Sequence, residues 1–288
     1  MKICYLILAH KNAAQLNMLV EKLLEDKKAV IYMHISIPQY FTLKDKIVYN
    51  NRLHILDNPI EVKWGGDNIL KAQLKLLEAS IYEQADYYQF LTGQDFPIKK
   101  GLGEYLQQNR GQIFIDAEKS PREEKVRIEY KWPYILSKMY NNKLNIFRII
   151  RKTRMILLQY GFPGVKKKIP EEYKNYNYYK SMFWITIDYE TAKYCLDYLK
   201  MNPEYFLLYK DALNAEEGFW ATTIMNSDKL RKKINVCKTL MYIGEFTNNH
   251  PKTLTCNDKF ILEESECFFA RKFDSCIDME IIKYFYNI

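Results

Sequence analysis

The sequence predicts an α/β fold with a mostly parallel central sheet flanked by helices. Two observations carry this expectation. In the N-terminal third, short apolar runs alternate with amphipathic stretches of helical period, the pattern of βαβ units with parallel strands. The 288-residue chain is 48% apolar, enough for a sizeable core, and no linker, repeat or low-complexity tract divides it. The expected organisation is one domain over residues 1–288, carrying a basic helical insertion at about 118–178.

Each element follows in order. Ile3 to Ala9 is a compact apolar run that stops at polar His10-Lys11-Asn12, which marks a buried strand rather than a secretory leader. Ala13 to Leu24 places Leu16, Leu19, Val20, Leu23 and Leu24 at helical spacing. Val30 to Ile35 and Leu53 to Leu56 read as further strands. Asn68 to Ser80 is an amphipathic helix with Ile69, Leu70, Leu74 and Leu77 inward. Tyr87 to Leu91 is a strand ending at Thr92-Gly93-Gln94-Asp95-Phe96-Pro97. Ligands of such sheets sit beyond the carboxyl ends of the strands, so the loops after Ala9, Ile35 and Leu91 should face one.

The rhythm then breaks. The insertion gathers Arg148, Arg151, Lys152, Arg154, Lys166, Lys167 and Lys168 around apolar Met155-Ile156-Leu157-Leu158. Such a segment suits either an anionic bilayer surface or a basic helix folded back on the main domain. Beyond it, Met182 to Ile187 reads as a strand and Glu190 to Lys200 as a helix. Ala215 to Met225 reads as a helix opening with two carboxylates.

A formal charge of +8 and a pI near 8.9 suit an anionic partner, but no nucleic-acid-binding module is recognisable, so nucleic acid is not the expected one. The 24 Tyr, 15 Phe and 4 Trp serve sugar or base stacking as readily as a core. Six scattered Cys without a CxxC pair, and four His without ligand spacing, give no metal site and point to free thiols in a reducing compartment. No apolar run reaches the ~18 residues of a membrane span, so the expected location is cytoplasmic, with the inner membrane face within reach of the insertion.

Two stretches carry chemistry. In Asn214-Ala215-Glu216-Glu217-Gly218-Phe219-Trp220, adjacent acids stand at a helix start, where the positive helix end favours ionised carboxylates. In Phe268-Phe269-Ala270-Arg271-Lys272-Phe273-Asp274, paired cations sit in an apolar frame able to aim charge at a phosphate. Asp-x-Asp, the usual metal-holding pair of sugar transferases, occurs nowhere in the chain.

With Tyr5 to Lys11, Ile31 to Ile35, Val62-Lys63-Trp64-Gly65-Gly66, Leu91 to Lys99 and His250-Pro251-Lys252, these stretches resemble, in order and through nearly the whole chain, glycosyltransferase family 14. That family comprises the core-2/I-branching β-1,6-N-acetylglucosaminyltransferases and the peptide O-xylosyltransferases. The cysteines here lack the framework of secreted animal relatives, which fits a bacterial-type member. The resemblance implies a variant GT-A (Rossmann-like) fold, inversion at the sugar and no metal requirement. It implies Glu217 as catalytic base and Lys252, Arg271 and Lys272 as donor diphosphate ligands. Ala9, His10, Ser36 and Trp64 fall on the nucleotide side of the cleft, and Gln94, Asp95, Glu216 and Trp184 on the sugar or acceptor side. Asp95 could equally be a turn-stabilising residue.

The sequence departs from the family pattern at Ser36, where the second strand usually ends in Asp, at Lys180 to Trp184, and near Glu245-Phe246. The implied donor is UDP-N-acetylglucosamine, with UDP-xylose next. The implied acceptor is a glycan, lipid-linked in one form of the reading, in surface polysaccharide or glycoconjugate synthesis. A nucleotide-sugar or glycan binding protein without catalysis is the alternative.

Overall fold

A computed structural model describes residues 1–63, 65–137, 144–234, 238–247 and 250–288. At its centre β1 (Ile3–Ala9), β2 (Val30–Ile35), β3 (Leu53–Ile55) and β4 (Tyr87–Thr92) run parallel in the order β3-β2-β1-β4. All seven residues of β1 are buried. A central strand covered on both faces needs a continuous apolar run, and that is what Ile-Cys-Tyr-Leu-Ile-Leu-Ala supplies. Its side chains divide by parity: Ile3, Tyr5 and Ile7 join one core cluster, Cys4, Leu6 and Leu8 the other. Helix α1 (Ala13–Leu24) packs in the first cluster and α2 (Asn68–Ser80) in the second, which makes the sheet the middle layer of three. Both helices have the bounds their periodicity predicts, and Asn12 caps α1 by accepting from the Gln15 amide at 3.3 Å.

Two features differ from the sequence reading. Asp95–Pro97, read as loop, is strand β5 of a second sheet. The strand expected over Met182 to Ile187 contracts to β6 (Thr186–Asp188), which closes the main sheet antiparallel to β4. The contraction has a cause: the Met182 amide turns away to Asp116 Oδ1 (2.8 Å) and the Ser181 amide to the Glu217 carbonyl (2.8 Å), so this stretch does not continue the ladder. The second sheet is completed by β7 (Met241–Ile243) and β8 (Phe269–Arg271), with β8 between the other two. It packs into the first core cluster through Phe96, Phe268 and Phe269.

The chain enters and leaves the basic segment side by side, because Glu118–Lys119 pairs antiparallel with Tyr179–Lys180. Beyond this neck lie α3 (Pro121–Glu129) and α4 (Ile146–Gln159), which pack on each other. After β6 follow α5 (Tyr189–Met201) and α6 (Ala215–Met225); the latter carries Trp220, which is fully buried and donates its indole N–H to Gln73 on α2 at 2.8 Å. Among the described residues Cys4, Cys195, Cys256, Cys267 and Cys276 are free thiols, and no helix is long and apolar enough to cross a membrane.

The β4–β5 turn is pressed against α1. A Cβ at Gly93 would stand 2.6 Å from Leu16 Cδ2 and 3.7 Å from the Ala9 Cα. Gln15 fastens the same contact by donating to the Gly93 and Phe273 carbonyls at 3.0 and 3.2 Å. Gly93→Ala should therefore cost about 1–3 kcal/mol, the usual penalty for overpacking, read as a lowered urea midpoint with unchanged slope. An unaltered midpoint would show that this contact has slack.

Candidate active site

The carboxyl ends of β1 and β4 and the end of β8 meet on one side of the molecule, and each delivers charge there. In the β5–β8 register Asp95 stands opposite Arg271. The Arg271 Nη1 donates to Asp95 Oδ1 at 2.8 Å and to the Thr92 hydroxyl, and its guanidinium lies 4.9 Å from the Trp184 ring centre. Asp95 is wholly buried, and its Oδ2 accepts the Thr92 amide (2.6 Å) and the Trp184 indole N–H (2.7 Å). Its acceptors are thus spent on the protein, and it positions Arg271 rather than offering a free oxygen to a sugar hydroxyl. Gln94 is also turned inward, donating to the Phe273 carbonyl at 3.4 Å.

Beside Arg271 stand Lys272, His10 and Lys11. The Lys272 ammonium is held below its usual range, first by burial and then by repulsion from Lys11 and Arg271. The His10 imidazole is lowered too, by partial desolvation and then by Lys11, Arg271 and Lys272. Asp274 tempers the cluster through a 2.6 Å ion pair with Lys11. With Lys11 paired to Asp274 and Arg271 to Asp95, the cluster is a partly offset positive seat that suits an anion. Lys11 is a member that sequence reasoning missed as a ligand, although its place just past the end of β1 was signal enough. Lys252 lies on a neighbouring segment, half-exposed, with its Nζ 3.3 Å from Asp258, while the amide of Leu254 donates to the Lys272 carbonyl at 2.8 Å.

At the end of β2, Ser36 is buried. Its amide donates to the Ala9 carbonyl at 2.9 Å and its hydroxyl accepts the Val62 amide at 2.9 Å. His34 does the same one turn of the pleat earlier, its Nε2 accepting the Ile60 amide at 3.0 Å. Burial, aided by Lys75, pushes the His34 imidazole down to about 4, which keeps that nitrogen available as an acceptor. Ser36 and His34 therefore strap residues 60–62 across the end of the sheet. Trp64, just beyond the strap, lies outside the described residues.

The second charged station is built on the start of α6. Asn214 adopts a left-handed conformation (φ 50°) that turns Glu216 into the core and leaves Glu217 partly exposed. Glu216, expected on the acceptor side, is buried with one carboxyl oxygen unpartnered among the described residues, and burial followed by repulsion from Glu217 raises its pKa. Glu217 Oε1 accepts from Asn214 Nδ2 at 3.0 Å, and Oε2 from Arg127 Nη1 at 2.6 Å. Arg127, on α3, also binds Glu124 at 2.9 Å and Glu123 at 2.5 Å, so three carboxylates share one guanidinium. Glu124 is wholly buried, and desolvation, only partly offset by Arg127, pushes its carboxyl up to about 8. Arg127 was not among the sequence candidates; its spacing three and four residues after adjacent acids was the available signal.

One short segment joins the two stations. The Ser181 amide donates to the Glu217 carbonyl at 2.8 Å, and Trp184, three residues on, contacts both Asp95 and Arg271. Three residues of extended chain span at most ~11 Å, so this segment ties the backbone of Glu217 to the neighbourhood in which Trp184 meets Asp95 and Arg271. Asp116 lies along this path, its carboxyl raised first by burial. Among the described residues no cluster of three or more His, Cys, Asp or Glu could hold a metal ion.

Residues 3–263 match the family model described as Branch: Core-2/I-Branching enzyme. A xylosyltransferase from Ciona intestinalis is 20% identical over 314 aligned residues, which cover 98% of this chain and 33% of that protein. The chain thus spans about a third of that relative's length.

The Glu124 carboxyl gives the site a pH signature. Its folded pKa of about 8 exceeds the ordinary 4.5, so between these values the folded chain keeps a proton that the unfolded chain has lost, and stability falls as pH rises through the window. Denaturant midpoints taken across it should decline for the wild type and decline less for Glu124→Gln. Parallel declines would remove Glu124 as the source.

Proposed function

The chain belongs to the Core-2/I-branching enzyme family, and on that premise we propose that it is a glycosyltransferase moving a sugar from a nucleotide diphosphate donor to a glycan hydroxyl, with inversion and without a divalent metal. The α/β framework with its mostly parallel sheet is consistent with a GT-A-like glycosyltransferase fold. The observation that supports the proposal is the grouping of Lys11, Arg271 and Lys272, linked to the backbone of Glu217 by the short segment from Ser181 to Trp184.

In this reading the donor diphosphate sits on those cations, with Lys252 approaching from the adjoining segment. Bound phosphate relieves their mutual repulsion, and negative charge growing on the leaving diphosphate strengthens the attraction, which lowers the barrier. Arg271 is fixed before substrate arrives by Asp95, Thr92 and Trp184, so little reorganisation is needed. Glu217 takes the proton from the acceptor hydroxyl as its oxygen attacks the anomeric carbon. The bond from that carbon to the diphosphate oxygen breaks on the opposite face, and the configuration inverts. Arg127 and Asn214 hold the Glu217 carboxylate in orientation. The family resemblance favours UDP-N-acetylglucosamine as donor, and the xylosyltransferase relative makes UDP-xylose the next to try. With the Ser36 hydroxyl committed to Val62, recognition of the base falls to other groups of the cleft.

A thermal-shift screen of nucleotide sugars identifies the donor, because a bound ligand raises the apparent melting temperature. With that donor, Glu217→Gln should retain the shift and lose about 10²–10⁴-fold in turnover. Undiminished transfer by the variant would remove Glu217 as base, and a donor that binds without ever being transferred or hydrolysed would favour a binding protein. Full activity should persist in excess chelator; a loss restored by manganese would overturn the metal-independent step.

A further inference from the structure

Helix α4 is built inside out. Its arginines Arg148 and Arg151 are buried, whereas Ile146, Ile149, Ile150, Ile156, Leu157 and Tyr160 are from 38% (Leu157) to 79% (Tyr160) exposed. These positions follow i, i+3, i+4, i+10, i+11 and i+14, so they share one face of the helix and its C-cap, a stripe in two groups with Thr153 between them. The stripe borders an open apolar groove of ≈ 410 Å³ lined by Leu136, Leu157, Leu158, Phe162 and Pro163 among others. Phe162 and Val165, 54% and 63% exposed, extend it past the helix. An exposed apolar face of this kind is costly in water and marks an interaction surface.

Charge decides what covers it. From Leu144 to Pro170 the chain contains no Asp or Glu, while Arg148, Arg151, Lys152, Arg154, Lys166, Lys167 and Lys168 are all cationic. Lys152, Lys166 and Lys168 are exposed beside the apolar residues. A second copy docked through the same stripe would bring two such sets of like charge together with no acids between them. A glycan would meet aliphatic side chains that cannot satisfy its hydroxyls. We infer that this face rests on an anionic lipid bilayer, with the isoleucine stripe in the acyl boundary and the lysines at the headgroup phosphates. The inference is independent of the transfer reaction, although α4 packs on α3, the helix whose Arg127 holds Glu217.

Co-sedimentation of the full chain with phosphatidylcholine vesicles, with and without phosphatidylglycerol, tests it. The chain should bind the phosphatidylglycerol vesicles and bind less as salt rises. An Ile149→Ser/Ile156→Ser variant should partition about tenfold less with an unchanged melting temperature, since both side chains are already exposed. A Lys152→Glu/Lys168→Glu variant should lose its preference for the anionic vesicles. Equal vesicle binding by the stripe variant and the wild type would overturn the inference. So would a wild-type dimer that the stripe substitutions dissolve without any vesicle binding, or binding to oligonucleotides in preference to vesicles.

Discussion

The placement of Arg271 depends on one buried carboxylate. Asp95 is removed from water, which is tolerable only because its oxygens collect the Thr92 amide and hydroxyl, the Trp184 indole and the Arg271 guanidinium. Those donors come from three parts of the chain: the β4–β5 turn, the segment before β6 and the end of β8. Removing the carboxylate would leave a guanidinium and an indole N–H without their partner, a larger loss than a surface ion pair represents. The aromatic face of Trp184 completes the seat, since it steadies the guanidinium without neutralising it.

The remaining charges are arranged around that fixed point in two unlike ways. On the cation side, Arg271 is paired with Asp95 and Lys11 with Asp274, while Lys272 is held below its usual range first by burial and then by repulsion from Lys11 and Arg271. On the acid side, Arg127 serves Glu123, Glu124 and Glu217 at once, and the excess negative charge is avoided by protonating the most buried member, Glu124. The first arrangement leaves affinity for an incoming anion, whereas the second holds one carboxylate in place at the rim. Ser181 to Trp184 keeps both at a set separation, because its backbone is bonded at Glu217 and its last side chain at Asp95.

What could be read from the sequence is what local periodicity encodes. The helices Ala13–Leu24 and Ala215–Met225 and the strand Ile3–Ala9 have the bounds their patterns imply, because burial on one face or both leaves a direct record in residue order. Glu217, Arg271 and Lys272 were singled out by the motifs around them, and the roles given to them rest on the proposed reaction. The second sheet was not, since β5 and β8 are three residues each and pair across more than 170 positions. For the same reason the sequence left Asp95 open between a ligand-facing and a turn-stabilising role and placed Ser36 on the nucleotide side: nothing local reveals that Trp184 or Val62 bonds to them. Arg127 escaped notice because its partner Glu217 is 90 residues away.

The neck formed by Glu118–Lys119 and Tyr179–Lys180 bears on how such a chain can diversify. Where entry and exit strands are already zipped together, the tract between them may grow or shrink with little entropic penalty to the rest of the domain. That freedom is not uniform here, since α3 lies within the tract and reaches back to Glu217 through Arg127. A change in the portion beyond α3 would therefore reach Glu217 through the packing of α4 on α3.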